Sequence, residues 1–282
     1  MTTARVGRVA VTAALALHLA TASAAEGPSR HIVDVGSAKI EVTAEGQGPL
    51  IVLLPSTGRS SDDFDVLAGG LAKAGFRVLR PQPRGIGGSI GPMTDVSFHD
   101  FANDIAGIIK HDGGDPAIIV GHAYGNWIAR TVATDYPQLV RGVVLMAAGA
   151  KTWPRQLSDA ITTINDRNQP TAIRLKALEF AFFAPGNDAS SWLEGWHKDV
   201  TESQRAAGLN TKRESWWLSG TARILDLQAA DDPFRPRDTT DELKNDLGDR
   251  VSVVVVPNAS HALPAEQPAA VVQAIVAWAQ DL

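Results

Sequence analysis

The sequence predicts an α/β fold, in which a mostly parallel open sheet carries helices on both faces. Short apolar runs alternate with amphipathic segments between residues 50 and 149, and the connections between them are short. That alternation favours parallel strands joined by helices. The composition agrees, because 44% of the 282 residues are hydrophobic and 20% are charged, which suffices for a sizeable core. The net charge of −5 gives no electrostatic reason to expect a nucleic acid or an anionic membrane as partner.

Residues 1–25 predict a cleavable export signal. Arg5 and Arg8 precede an apolar run over 9–20, and the small residues 22–24 suit a signal peptidase. The run is too short to anchor the chain in a bilayer core about 30 Å thick. We therefore expect a signal peptide and a periplasmic or secreted protein without a membrane anchor. The alternative is an uncleaved, weakly amphipathic tail.

The first part of the remaining chain predicts a hairpin followed by alternating strands and helices. Apolar residues alternate on both sides of Gly36, as in a hairpin with one buried face. Ser97 followed by Asp100 is typical of a helix start, because both side chains can bind free amides of the first turn. The predicted elements are the hairpin strands 31–35 and 39–43, the strands 50–54 and 76–81, the helix 62–74 and a helix that begins at Ser97.

In the second part of the chain, one more alternation of strand and helix is followed by an interruption. The interruption over 152–222 is helical and rich in aromatic residues. A helical insertion between two strands of an open sheet predicts a cap over the carboxyl edge of the sheet. We therefore expect a core formed by 26–151 and 223–282, with 152–222 as the cap. The remaining predicted elements are the strands 117–120, 142–149, 224–228 and 250–257 and the helices 126–135 and 267–278.

The segment Gly121-His122-Ala123-Tyr124-Gly125 matches the nucleophile elbow G-x-S-x-G except at its centre. Glycine permits the sharp turn from a buried strand into a helix, and the helix start offers free amides. The order of the elements and this motif resemble the α/β-hydrolase superfamily over essentially the whole mature chain. We expect the side chain of His122 to pack beneath the turn.

The resemblance implies the remaining site residues. His261 follows the last predicted strand, where the family carries its catalytic histidine. Asp232 matches the position of the carboxylate that orients this histidine, and Asp231 is the competing choice. Thr57 and Tyr124 match the residues whose backbone N–H groups form the oxyanion hole.

Ala123 excludes the acyl-enzyme mechanism at this position, because a methyl group cannot attack a carbonyl. Three explanations stay open: an enzyme in which His261 and Asp232 act as a general base without a serine, an engineered Ser→Ala substitution in a serine esterase, and an inactive protein that retains the pocket for binding. A fourth is that another hydroxyl replaces the missing one, with Ser56 best placed and Ser89 behind it.

The aromatic residues of the predicted cap indicate a small, largely apolar substrate. The resemblance to the α/β-hydrolase superfamily implies that this substrate is an ester, a lactone or another carbonyl compound. The candidate substrate-binding residues are Trp192, Trp196, Trp216, Trp217 and Phe183. We expect no cofactor and no metal, since the chain has no cysteine and its histidines lack metal-like spacing. A monomer and a homodimer are both compatible with the sequence.

Overall fold

The computed structural model of the protein describes residues 27–282, so the predicted signal peptide lies outside the described part of the chain. An eight-stranded sheet runs in the order β1-β2-β4-β3-β5-β6-β7-β8. β1 and β2 pair antiparallel, β2 joins β4 antiparallel, and the other pairs are parallel. The strands are β1 (Ser29–Asp34), β2 (Lys39–Glu45), β3 (Leu50–Leu54), β4 (Arg77–Pro81), β5 (Ala117–His122), β6 (Val140–Met146), β7 (Ile224–Ala229) and β8 (Val251–Val256).

Helices cover both faces of the sheet, and each face has its own apolar core. Helices α2 and α3 pack on one face through residues such as Ile105 and Ile128. Helices α1 and α9 pack on the other face through Leu67 and Ile275. The α-helices are α1 (Asp65–Lys73), α2 (Phe98–His111), α3 (Gly125–Asp135), α4 (Arg155–Asn165), α5 (Thr171–Ala181), α6 (Lys198–Leu209), α7 (Glu242–Leu247), α8 (Leu263–Glu266) and α9 (Pro268–Ala279).

The predicted fold class is confirmed, and most predicted elements occur near their expected positions. The clearest case is α2, where the Ser97 hydroxyl accepts from the Asp100 N–H and the Asp100 carboxylate accepts from the Ser97 N–H. One strand differs: residues 142–149 were expected to be extended, but β6 ends at Met146. Ala147 has a φ of 47°, in the left-handed region, and this turn ends the strand.

Helices α4, α5 and α6 lie between β6 and β7, before the last two strands. Helices α4 and α5 pack in a smaller core that includes Leu157, Leu178 and Trp196, whereas Ala207 of α6 belongs to the core of α2 and α3. Arg59, from the loop after β3, is tied to this insertion. Its guanidinium donates to the carbonyl oxygen of Glu194 at 2.6 Å, and it lies 4.4 Å from the ring centre of Trp192.

None of the helices in the described range 27–282 is long and apolar enough to cross a membrane.

Candidate active site

Ala123 lies at the tip of a sharp turn between β5 and α3. Its φ of 48° is in the left-handed region, which costs a non-glycine residue about 1–2 kcal/mol. Gly121 and Gly125 make this turn possible: a Cβ at Gly121 would overlap the carbonyl group of Gly125, and one at Gly125 would overlap that of Leu54. The position therefore keeps the backbone of a nucleophile elbow, although it carries only a methyl group.

His261 and Asp232 are brought together from two different loops. Nδ1 of His261 lies 2.9 Å from Oδ2 of Asp232, and both side chains are buried. The other carboxylate oxygen, Oδ1, accepts from the Phe234 N–H at 2.9 Å. Since a carboxylate only accepts, Nδ1 carries the hydrogen, and Nε2 is the nitrogen that can act as a base. Asp231, the competing choice, is exposed and its side chain makes no hydrogen bond in the described chain.

Aromatic rings and a second histidine hold His261 in place. The ring of Phe234 lies 4.1 Å from that of His261, and the ring of Phe182 lies 5.2 Å away. Nε2–H of His122 donates to the carbonyl oxygen of His261 at 2.6 Å. Burial, together with the charge that His261 can carry, lowers the pKa of His122 to about 3, so this ring is neutral near pH 7. The ring of His122 is buried and lies 6.4 Å from the ring of Phe64, and its packing beneath the turn stays a prediction.

The two predicted oxyanion donors have backbone N–H groups with no acceptor in the described chain. Tyr124 is the first residue after Ala123, at the start of α3. The turn at Thr57 is fixed by Gln204 of α6, whose side-chain oxygen accepts from Thr57 Oγ1 at 3.0 Å and from the Gly58 N–H at 2.8 Å. Gln204 was missed in the sequence, because it follows Gly58 by 146 residues and carries no motif.

A cavity of about 60 Å³ is lined in part by Tyr124, one of the two oxyanion residues, and by Gln204, which binds the turn that carries the other, Thr57. It touches Leu54 and Pro55 on one side and Tyr124 and Gly125 on the other, while α6 contributes Gln204. Its lining is mostly apolar, and neither Ala123 nor His261 forms part of it.

The five aromatic residues predicted to bind substrate all have packing partners. Trp192 and Trp196 are buried in the core of the inserted helices, and Trp216 is buried against the main core. Trp217 lies over the guanidinium of Arg130 at 4.3 Å. Phe183 borders a second depression on the surface, of about 440 Å³. None of them lines the cavity formed by Tyr124 and Gln204, and a role in substrate binding stays a prediction.

The two hydroxyls considered as replacements for the missing serine have different surroundings. Ser89 Oγ donates to the Gln82 carbonyl at 2.9 Å and accepts from the Glu41 N–H at 2.9 Å, which gives it a structural role. Ser56 Oγ is buried without a hydrogen-bond partner in the described chain.

A second Ser–His–Asp chain, not anticipated from the sequence, lies at the surface. His99 Nδ1 is 2.7 Å from Asp135, and its Nε2 is 3.1 Å from Ser215 Oγ. The Ser215 hydroxyl also donates to the carbonyl oxygen of Lys212 at 2.8 Å, so this chain ties the segment after α6 to α2 and α3. Within residues 27–282, no three His, Asp or Glu side chains are grouped so that they could hold a metal ion.

Comparisons with known proteins agree with this architecture. A 2-(acetamidomethylene)succinate hydrolase from Mesorhizobium japonicum is 37% identical over 112 residues, which are 40% of this chain and 40% of that protein. The curated relatives are thus matched over less than half of their own length.

Solved structures extend the likeness over most of the chain. The crystal structure of E-2-(acetamidomethylene)succinate hydrolase has a TM-score of 0.71 and 24% identity, covering 90% of this chain and 100% of the other. An esterase from Exiguobacterium antarcticum has a TM-score of 0.74 and 17% identity, covering 88% of this chain and 98% of the other. The sequence model of the alpha/beta hydrolase family matches residues 51–274. This chain therefore belongs to the alpha/beta hydrolase family.

Proposed function

We propose that this protein is an exported enzyme that uses His261 and Asp232 as a general base, without a serine nucleophile. The substrate is a small, uncharged, largely apolar ester, lactone or related carbonyl compound. The observation that carries this proposal is the 2.9 Å contact between the two buried side chains, in a chain whose elbow presents only the methyl group of Ala123.

The base requires a neutral imidazole with one free nitrogen. Asp232 holds the hydrogen on Nδ1, and Nε2 of His261 has no hydrogen-bond partner in the described chain. Nε2 can therefore take a proton from water or from an acidic position of a substrate. The charge that forms on the ring is stabilised by the carboxylate, as in a Ser-His-Asp triad.

In ester or lactone hydrolysis, His261 removes one proton from a water molecule while the water oxygen bonds to the carbonyl carbon. The carbonyl oxygen becomes an oxyanion, and the N–H groups of Thr57 and Tyr124 are free to stabilise it. The intermediate then expels the alcohol oxygen, which takes the proton back from His261. The products are a carboxylic acid and an alcohol, or a hydroxy acid from a lactone.

The relatives support hydrolysis as the reaction class, since they include a hydrolase and, by structure, an esterase. Export rests on the basic and apolar pattern of residues 1–25.

The test compares the wild-type protein with His261→Ala and Ala123→Ser on p-nitrophenyl acetate and δ-valerolactone. General-base catalysis is worth about 10²–10⁴-fold, so His261→Ala should lose at least 100-fold of the wild-type rate. Equal, background-level rates in both proteins would contradict base catalysis for these substrates. Ala123→Ser should add a burst of p-nitrophenol, because the introduced hydroxyl can form an acyl-enzyme.

Fluorophosphonate labelling with peptide mapping separates the remaining explanations. The wild-type protein should stay unlabelled, whereas Ala123→Ser should be labelled at position 123. Labelling of the wild-type protein at Ser56 or Ser215 would instead mean that another hydroxyl supplies the nucleophile. A protein that binds the substrates but hydrolyses them no faster than His261→Ala is a binding protein.

A further inference from the structure

We propose that the cavity lined by Tyr124 and Gln204 is the subsite for the acyl part of the substrate, and that Gln204 provides its hydrogen-bond donor. The subsite takes a short, unbranched, uncharged chain next to a carbonyl oxygen. Its assignment to a substrate rests on the proposed function, whereas its capacity to bind such a group does not.

The size and lining of the cavity limit what it can hold. One water molecule needs roughly 10–15 Å³, so a cavity of about 60 Å³ accepts a few waters or a short chain but not a ring system. The residues that reach it from β3, α2, α3 and α6 are largely apolar; they include Leu54, Ile105, Ile128 and Val200. A short hydrocarbon chain is the group that such a surface binds best.

The charged residues of the cavity are neutralised by each other. Arg84 donates to both oxygens of Asp104, at 2.7 and 2.8 Å, and both side chains are buried. A further N–H of Arg84 is used by the carbonyl oxygen of Pro92 at 3.0 Å. An anionic ligand therefore finds no unpaired cation there, which favours an uncharged group over a carboxylate.

The other polar side chains of the lining are also engaged, with two exceptions. Ser203 Oγ donates to the Met93 carbonyl at 2.6 Å, and both ends of the Gln82 amide bond to Ser60 and Ser61. The Tyr124 hydroxyl has no partner in the described chain but is buried, and its ring packs against Phe98 and Trp127. The second exception is the amide nitrogen of Gln204.

The orientation of the Gln204 amide follows from its partners. The Gly58 backbone N–H can only donate, so the Gln204 atom 2.8 Å away must be the oxygen Oε1. Nε2 is then the other end of the amide, on a side chain that lines the cavity and donates to no atom of residues 27–282. One amide thus fixes the Thr57–Gly58 turn and leaves a donor for an acceptor on the ligand.

The test uses N-methylacetamide, N-methylbutanamide and N-methyloctanamide as probes that are not turned over, with binding followed by ¹H–¹⁵N NMR titration. N-methylbutanamide should bind about tenfold more tightly than N-methylacetamide, because two more methylenes are buried. The longer octanoyl chain should gain nothing further, and butanoate should not compete. The shifted resonances should include Gln204 and Gly125. Shifts confined to the depression around Phe183 and Pro185 would overturn the assignment.

Gln204→Glu is the sharpest variant, because its carboxylate keeps an acceptor for Gly58 but loses the donor. N-methylbutanamide should bind about tenfold more weakly, while the Gly58 amide resonance keeps its position.

If this variant does not fold, Val200→Phe serves instead, because the larger ring fills the cavity and should abolish the butanoyl preference. Phe180→Ala, at the other depression, should change nothing. Unchanged binding in Gln204→Glu and Val200→Phe would overturn the proposal. His261→Ala should bind the probes normally, so a failure of base catalysis leaves this result standing.

Discussion

Nε2 of His122 lies 2.6 Å from the backbone carbonyl oxygen of His261. His122 therefore supports the loop that carries the candidate base His261, and the imidazole of His122 is neutral when it makes this hydrogen bond. His122 is buried between Phe64, Trp192 and His261. This burial lowers its pKa to about 3, because a charged imidazole would lose its hydration.

This pKa shift predicts a loss of stability in mild acid. The folded pKa of about 3 lies below the usual value of 6.5, so the unfolded chain binds the proton first. Above about pH 6.5, His122 is neutral in both the folded and the unfolded chain. As the pH drops from there toward 3, the free energy of unfolding falls by at most about 1.4 kcal/mol per pH unit. The free energy of unfolding in urea at pH 7, 6 and 5 measures this slope.

His122→Gln is the control for that slope, since its amide retains a donor for the His261 carbonyl but does not titrate. The difference in stability between wild type and variant should shrink by about 1 kcal/mol for each pH unit below 6. Parallel curves for the two proteins would show that His122 is not the group responsible.

Asp232→Asn should reduce ester and lactone hydrolysis by about 10²-fold, and by no more than His261→Ala does, because an amide no longer fixes the tautomer or stabilises the charged ring. The neighbouring Asp231→Asn is a matched control with the same chemical change one residue away. It should retain full activity, since Asp231 is exposed and does not contact His261. Values of kcat/KM between pH 5 and 9 make the comparison, and equal losses in the two variants would refute the assignment to Asp232.

Arg59→Ala should destabilise the fold by about 3 kcal/mol or more. Arg59 donates to both oxygens of Asp63 at 2.7 Å and stacks on Trp192 and Trp196, so its loss leaves a partly buried carboxylate unpaired. Arg155→Ala is the control, because that side chain is 91% exposed and a surface pair contributes 1 kcal/mol or less. Urea unfolding measures the loss of stability in both variants. A similarly small loss in each would mean that Arg59 contributes little to the stability of the fold.

The strands were predictable from the sequence because the central ones are buried on both faces. Residues 50–54 form an uninterrupted apolar run, and β3 has the same bounds. The ends of elements were harder to predict, as β6 shows. Its run of small and apolar residues continues to Ala148, but the positive φ of Ala147 ends the strand. The short helix α7 was not predicted, since six residues carry too little periodicity.

The site was predictable only where a motif has a fixed place in the chain. The family resemblance implied the pair His261 and Asp232 from their places after the last two strands, and the structure brings the two side chains into contact. The cavity was not predictable, because it depends on how α6 packs against loops more than 100 residues earlier. Trp192 and Trp196 illustrate the same limit: composition identifies them as aromatic, but only packing shows that Arg59 covers them.

The conformation of the elbow leads to a last prediction, which concerns Ala123 itself. Ala123→Gly should raise the free energy of unfolding by about 1 kcal/mol, because glycine adopts the observed φ of 48° without the steric cost that alanine bears. Hydrolysis should be unchanged, since the methyl group takes no part in the proposed chemistry. Ala129→Gly, in the middle of α3, is the same substitution at a buried helical position. There it should lower stability by about 1 kcal/mol or more. In urea unfolding, the two substitutions should therefore change the free energy of unfolding in opposite directions. If Ala123→Gly lowered it instead, position 123 would not adopt the left-handed conformation in solution.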